Sequence, residues 1–332
     1  ALTFWSKESR SILEWINDVL IALLNASHKG ALFIFGPLAL GPGQTLADGT
    51  PSVGFVLAFQ VFPSVIFFSA MLGGLYNLGI MQKVVKLFSK TFNRILFLSG
   101  AESLAAAANL FVGIESGLTV RPYLAKMTRS ELLTLMTCMM ATVASTVMGI
   151  YVIALQKTFP NIAGHLVSAS LISIPCSILT SKLFYPELEK PETFGKLNED
   201  EAGTSHTGLI SAFVEGGYQG VKIAIGIATV LIIVLGLEAL LDLILGKLPE
   251  FQGQPLSALR LLGWLTYPFT VLLGLRPEEW GMASQILGSR FIETEVSAYF
   301  SLAALQTTDN AFTMRSLTIM TYGLCGFVHI AS

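Results

Sequence analysis

Between Val221 and Leu245 the chain reads VKIAIGIATVLIIVLGLEALLDLIL, a long and nearly uninterrupted apolar run. About 20 such residues, wound as a helix, cross the hydrocarbon core of a bilayer. A segment in lipid must satisfy its own backbone hydrogen bonds, so the run is expected to be a spanning helix over about 221–246. Comparable runs occupy 53–80, 131–156 and 165–184, with weaker ones at 31–41, 257–275 and 311–330. Hydrophobic residues make up 53% of the 332 positions, charged residues only 13%, and the mean hydropathy is +0.66. A soluble domain carries about 25% charged residues. The expectation is therefore an all-α integral membrane protein.

The three cysteines, Cys138, Cys176 and Cys325, all fall in apolar segments and are expected as small buried hydrophobes without a disulfide framework. No cleavable signal sequence is expected at the start of the chain. Residues 1–52 read as an N-terminal membrane region. Ile12, Leu13, Ile16, Val19, Leu20, Leu23 and Leu24 in it recur at helical spacing and predict an amphipathic helix at the interface or packed on the bundle. The stretch 83–94 carries Lys83, Lys86, Lys90 and Arg94 and predicts a basic helix on the membrane surface. With Arg121, Lys126 and Arg129 these residues place the neighbouring loops on the cytoplasmic side. Residues 185–208 form a polar, Pro- and acid-rich cytoplasmic linker, expected to be mobile. It separates a first half, 53–184, from a second, 209–332.

Each half contains a segment long enough to span yet interrupted by charge and glycine. In the first half it is SGAESLAAAANLFVGIESGLTVRPYL, Ser99 to Leu124, where Gly113 and Gly117 bracket Glu115. In the second it is Glu278 to Gln306, with Gly288 in the turn role and Glu295, beside Glu293 and Thr294, as the acid. An acid facing lipid is costly, so such residues face an interior or a polar cavity. Paired interrupted segments point to a transporter's binding site. Re-entrant hairpins are expected at about 100–125 and 278–305, their tips exposing helix-end groups to a ligand. Metal-binding His pairs, nucleophile elbows and phosphate loops are missing from the sequence, so no enzyme is expected. Thr142, Ser145 and Thr146 place hydroxyls inside an apolar segment.

Four stretches in order resemble the concentrative nucleoside transporter family: FQVFPSVIFFSAMLGGLYNLGIMQ at 59–82, SGAESLAAAANLFVGIESGLTVRPYLAKMTRSEL at 99–132, LLGLRPEEWGMASQILGSRFIETEVSAY at 272–299, and RSLTIMTYGLCGFVHIAS at 315–332. The resemblance runs over most of 53–332. It implies a sodium- or proton-coupled nucleoside importer. It also implies a homotrimer in the cytoplasmic membrane, with inverted repeats of two re-entrant hairpins and two broken transmembrane helices. An elevator-type movement of a transport domain would carry the substrate. The family continues beyond the position of Ser332, so the resemblance implies a trimmed C-terminus.

Carried onto this sequence, the resemblance implies a Na+ site, with H+ as the alternative coupling ion. Its ligands would be the Asn109 side chain, the Val112 carbonyl, the Thr142 side chain and the Val143 carbonyl. The implied substrate site contains Gly113, Ile114, Glu115, Val147, Thr294, Glu295, Phe327, His329 and Ser332. Glu115 and Glu295 match the ribose-binding acids. The family's hairpin tip G-Q-T-E is shortened here to Gly113–Ile114–Glu115, which removes both base-reading side chains. His329 replaces a ribose-binding Asn, and Thr294 replaces an Asn beside the second acid. Base selectivity is therefore expected to be altered. A same-fold carrier of another polyhydroxylated solute and a membrane sensor or pore are the rival readings. Neither composition nor resemblance implies a nucleic-acid partner.

Overall fold

The computed structural model describes residues 7–46, 48–143, 145–194, 208–250, 253, 255–308 and 311–326. Side chains are not described at 7–10, 12, 13, 16, 112, 114, 115, 117–119, 121, 122, 145 and 146. The described residues form helices joined by turns: α1 (Lys7–Phe35), α2 (Leu57–Gln60), α3 (Phe62–Asn77), α4 (Ile80–Leu96), α5 (Gly100–Val112), α6 (Arg129–Ala141), α7 (Ser145–Leu155), α8 (Ile162–Phe184), α9 (Leu209–Leu245), α10 (Ala258–Leu272), α11 (Trp280–Ile292), α12 (Glu295–Leu305) and α13 (Met314–Leu324). Gly113–Lys126 is 3-10 helix. Four segments are long and apolar enough to cross a membrane: Asn17–Ala39, Leu57–Asn77, Ile162–Phe184 and Leu209–Leu245.

Several sequence expectations are revised. The N-terminal amphipathic segment and the start of the weak run at 31–41 fall in one helix, α1, which from Asn17 onward is part of a segment long and apolar enough to cross a membrane. The run at 131–156 is not one helix, because the backbone leaves the helix at Thr142 and resumes at Ser145. The weak run at 257–275 yields the 15-residue α10, too short to span. The run at 311–330 yields the shorter α13. The last long helix begins at Leu209, well before the expected 221. Cys176 is exposed, whereas Cys138 and Cys325 are buried as expected.

The chain divides into two compact units. One comprises Asp18–Ile150 and Val167–Ala224. Within it α9 presents Ala212, Gly216, Gly220 and Ala224, every fourth residue, as its buried stripe. A Cβ on Gly216 would lie 2.6 Å from the Ser69 carbonyl, and one on Gly220 would lie 2.7 Å from the Ile66 Cα. Only small residues let α9 and α3 approach this closely, the usual device where lipid supplies no hydrophobic drive between helices. The remainder of α9 exposes Ile210, Val214 and Tyr218.

In the same unit α4 buries Met81, Val85 and Ser89 and exposes Lys83, Lys86, Lys90 and Arg94, the predicted surface helix. Its Phe88 and Phe92 pack on α5 around Ala107 and Ala108. The run Ala105–Ala108 is fully enclosed. Such small side chains let a helix be surrounded by protein on all sides.

The other unit comprises Ala1–Asn17, Tyr151–Leu166 and Ile225–Ser332. In it α10 lies against α11 so tightly that a Cβ on Gly288 would be 2.9 Å from the Gly263 nitrogen. Gly288 is therefore a contact residue within α11, not the hairpin turn. The turn falls at Glu293–Thr294, where Thr294 adopts φ 103° and ψ 162°.

Candidate functional site: two hairpin tips and a helix break

The first hairpin is anchored at its base. Ser99 accepts from the Glu102 N–H while Glu102 accepts from the Ser99 N–H, a reciprocal cap on α5. The Gly100 and Ala101 N–H groups donate to the Thr193 carbonyl and hydroxyl at 3.0 and 3.1 Å. The first turn of α5 is thus satisfied by residues of the polar linker. Elsewhere in this stretch of the linker, Lys126 donates to Glu192, and Thr128 and Ser130 at the start of α6 donate to Glu187 and the Tyr185 carbonyl; residues 195–207 lie outside the described ones. Glu102 also accepts from Lys182 Nζ at 2.6 Å, and Lys182 donates to Ser130 Oγ at 2.9 Å. Glu102 is accordingly a structural acid.

At the other end α5 stops at Gly113, with φ 72° and ψ −138°, a conformation that a side chain would strain. This is the expected tip. The side chains of Val112, Ile114 and Glu115 lie outside the described ones. Beside the tip, Asn109 in the last turn of α5 is fully buried. Its Nδ2 donates to the Cys138 carbonyl and, at 2.7 Å, to Thr142 Oγ1. Ser116 Oγ donates to Asn109 Oδ1 at 3.3 Å, and Thr142 Oγ1 donates to the Asn109 carbonyl at 3.4 Å. Cys138 lies in the last turn of α6, and Thr142 is its C-cap, with extended backbone. The C-terminal turns of α5 and α6 therefore meet at Asn109. Both present carbonyls that the helix itself cannot use, and both carry the negative end of a helix dipole. Val143, also fully buried, sits in the non-helical break, and Val147 is buried on α7. The structure thus brings Asn109, Thr142 and Ser116 together. Ser116 was not singled out by the sequence.

The second hairpin joins α11 and α12 at its tip. Glu295 opens α12 and is 1% exposed. The positive end of the α12 dipole favours a carboxylate there. Tyr151, in the second half of α7, donates to Glu295 Oε1 at 2.9 Å. Thr294 is buried, and its hydroxyl has no hydrogen-bond partner among the described residues.

Arg290 donates to the carbonyls of Gly323 and Gly326, the latter at 3.1 Å. These carbonyls sit where α13 ends at Cys325 and Gly326, so a guanidinium from the hairpin caps a helix C-terminus. Phe327, His329 and Ser332 follow this helix end and lie outside the described residues. Sequence reasoning missed Tyr151 and Arg290, since their partners are remote in sequence; Arg290, a charge within an interrupted apolar segment, was the signal available.

The family model described as Na+ dependent nucleoside transporter C-terminus matches residues 165–332, and the nucleoside recognition (Gate) model matches 58–158. An uncharacterized transporter of Haemophilus influenzae is 32% identical over 338 residues, covering 100% of this chain and 77% of that protein. Sodium/nucleoside cotransporter 1 of Rattus norvegicus is 31% identical, over 96% of this chain and 49% of its own length. The solved structure of CNTnw in an inward-facing substrate-bound state superposes with TM-score 0.86 at 30% identity, covering 100% of this chain and 78% of that one. Hairpins, helix break and relatives agree, and the chain belongs to the concentrative nucleoside transporter family: it is a multi-pass membrane transporter of nucleosides, not an enzyme.

Proposed function

We propose that this chain imports nucleosides by Na+ symport, in a homotrimer of the cytoplasmic membrane, through an elevator-type movement of a transport domain. The observation that carries the reading is the meeting of two helix C-termini at Asn109. A hard cation takes oxygen ligands. Turning the Asn109 amide about its last side-chain bond exchanges Nδ2 for Oδ1. The amide oxygen, the Cys138 carbonyl and Thr142 Oγ1 then face one point, while Nδ2 is left to donate to Ser116. The carbonyls of Val112 and Val143, at the ends of the flanking segments, complete the proposed ligand set. Filling this point links the tip of the first hairpin to the helix break. Ion binding thereby orders the tip that carries Glu115.

Glu115 and Glu295 are the proposed partners of the ribose hydroxyls. Ile114, Val147 and Phe327 are the proposed surroundings of the base and His329 stands at a ribose-binding position, with Gly113, Thr294 and Ser332 completing the proposed substrate site. Ile114 offers no hydrogen bond to a base edge, and an apolar pocket discriminates weakly. Nucleosides with different bases are accordingly proposed to bind within about tenfold of one another, or about 1.4 kcal/mol. The exposed basic face of α4 and the lysines around the first hairpin support a cytoplasmic position for that side and for the 185–208 loop.

Each Na+ that enters draws about 2.3 kcal/mol from a 100 mV membrane potential, enough for roughly fifty-fold accumulation. Uptake of uridine into proteoliposomes tests the proposal. Uptake should rise with external Na+, and Asn109→Ala or Thr142→Ala should abolish that dependence. Uptake that follows a proton gradient alone, indifferent to Na+, would refute it.

A further inference from the structure

The carboxylate of Glu295 is held by a group for which sequence and family resemblance assign no role. Tyr151 is completely enclosed, and so is Tyr299. Their rings stack with centroids 4.4 Å apart and planes 25° from parallel. Tyr299 in turn donates its hydroxyl to the Thr321 carbonyl at 2.8 Å, in the last turn of α13. The Tyr151 ring is therefore fixed in position before its hydroxyl makes any bond. That hydroxyl has one hydrogen to give, and it goes to Glu295 Oε1.

The arrangement is more than a buried polar group finding a partner. Glu295 follows a residue in strained backbone, since the conformation of Thr294 is almost confined to glycine. The strain turns the chain so that the acid enters the first position of α12. A carboxylate at a hairpin tip has free rotation about its side-chain bonds unless something stops it. Here the hydroxyl of the stacked tyrosine anchors Oε1 and restricts how the carboxylate can turn.

We propose that the Tyr151 hydroxyl holds Glu295 in the orientation in which it accepts a hydrogen bond from a substrate sugar hydroxyl, making Tyr151 a positioning residue for sugar recognition. The inference rests on the reading of Glu295 as a ribose acceptor. Tyr151 acts through Glu295 and need not touch the nucleoside. A tyrosine that served packing alone would leave sugar discrimination untouched, because Tyr151→Phe keeps the ring and its stack.

The test is calorimetric binding of uridine, 2′-deoxyuridine and 3′-deoxyuridine to the purified full-length chain in saturating Na+, with thermal unfolding of each variant recorded alongside. In the unmodified protein the analogue lacking the contacted hydroxyl should bind at least tenfold more weakly than uridine. Tyr151→Phe should weaken uridine about tenfold and that analogue less than threefold, so that the discrimination collapses. Tyr299→Phe, which releases the stacked ring from Thr321, should cause a smaller loss of the same kind and covers the case in which Tyr151→Phe does not fold. Equal weakening of all three nucleosides, or none, in both variants overturns the inference. Glu295→Gln separates the two levels. If it too leaves the discrimination intact, the ribose reading of Glu295 falls and the inference with it. If Glu295→Gln abolishes discrimination while the tyrosine variants keep it, only the role of Tyr151 falls.

Discussion

Gly288→Ala is the sharpest test of how the second hairpin is held. A Cβ at Gly288 would sit 2.9 Å from the Gly263 nitrogen, 3.0 Å from the Leu262 carbonyl carbon and 3.1 Å from the Leu262 Cβ. These belong to the α10 backbone or its root, so no side-chain rotation relieves them. Forcing a methyl into such a contact costs about 1–3 kcal/mol. Alanine also favours a helix over glycine by about 0.5–1 kcal/mol. With three close contacts the steric cost prevails, and a net loss of about 1–2 kcal/mol is expected.

Two controls bracket the value. A Cβ at Gly281, on the same helix, meets nothing within 4 Å, so Gly281→Ala should be neutral or stabilising by about 0.5 kcal/mol. At Gly263 the Cβ would meet the Gln285 Cγ at 3.3 Å, a contact that a flexible side chain can ease. Gly263→Ala should fall between the two. Thermal unfolding in detergent should follow that order. At about 2 °C per kcal/mol for a chain of this size, Gly281→Ala and Gly288→Ala should differ by about 4 °C. Equal midpoints would refute the close approach of α10 and α11.

Lys182→Met should destabilise by about 2 kcal/mol in the same assay, less than the usual cost of breaking a buried pair, because Glu102 keeps its bond from the Ser99 N–H; an unchanged midpoint would show that the pair is solvated. Thr294→Gly should stabilise the fold by about 1 kcal/mol, by relieving a conformation that glycine adopts without strain. A loss of stability there would mean that the threonine side chain is anchored.

The gross design was legible because it rests on local patterns. Long apolar runs predicted spanning helices, and glycine beside an acid predicted the first hairpin tip. Lysines on one face of a helix predicted α4. What escaped was set by contacts remote in sequence. By its apolar pattern the segment at 131–156 looked continuous, because Thr142 and Val143 are apolar enough for lipid; only the family resemblance implied a broken helix there, and in the structure Asn109 supplies a partner for Thr142 at the break. The linker looked mobile because Pro, Glu and Lys favour loops, yet Thr193 completes the cap of α5 from 92 residues away. The stripe Ala212–Gly216–Gly220–Ala224 was readable in principle, since small residues every fourth position are the usual mark of close helix packing in membranes. Gly288 misled for the same reason in reverse. Glycine serves both turns and close contacts, and composition alone does not separate the two uses.

The C-terminal ends of α6 and α13 share a problem and solve it differently. Ending a helix inside a membrane protein strands carbonyls that water would otherwise satisfy, and each unmet group is costly there. At the end of α13 the chain carries its own answer. Arg290 from the second hairpin bonds the carbonyls of Gly323 and Gly326 through its guanidinium. At the end of α6 no cationic side chain is bonded to the last-turn carbonyls among the described residues. A neutral amide, Asn109, meets the Cys138 carbonyl instead. A guanidinium caps one end, while the other is bridged by a group that can turn its oxygen inward. That asymmetry fits the exchangeable-cation site proposed at Asn109. An ion bound there would have to leave in each cycle, so the cap it displaces has to be replaceable. On that proposal, a resident Arg or Lys beside Asn109 would hold the same carbonyls without any ion and uncouple the tip of the first hairpin from the gradient.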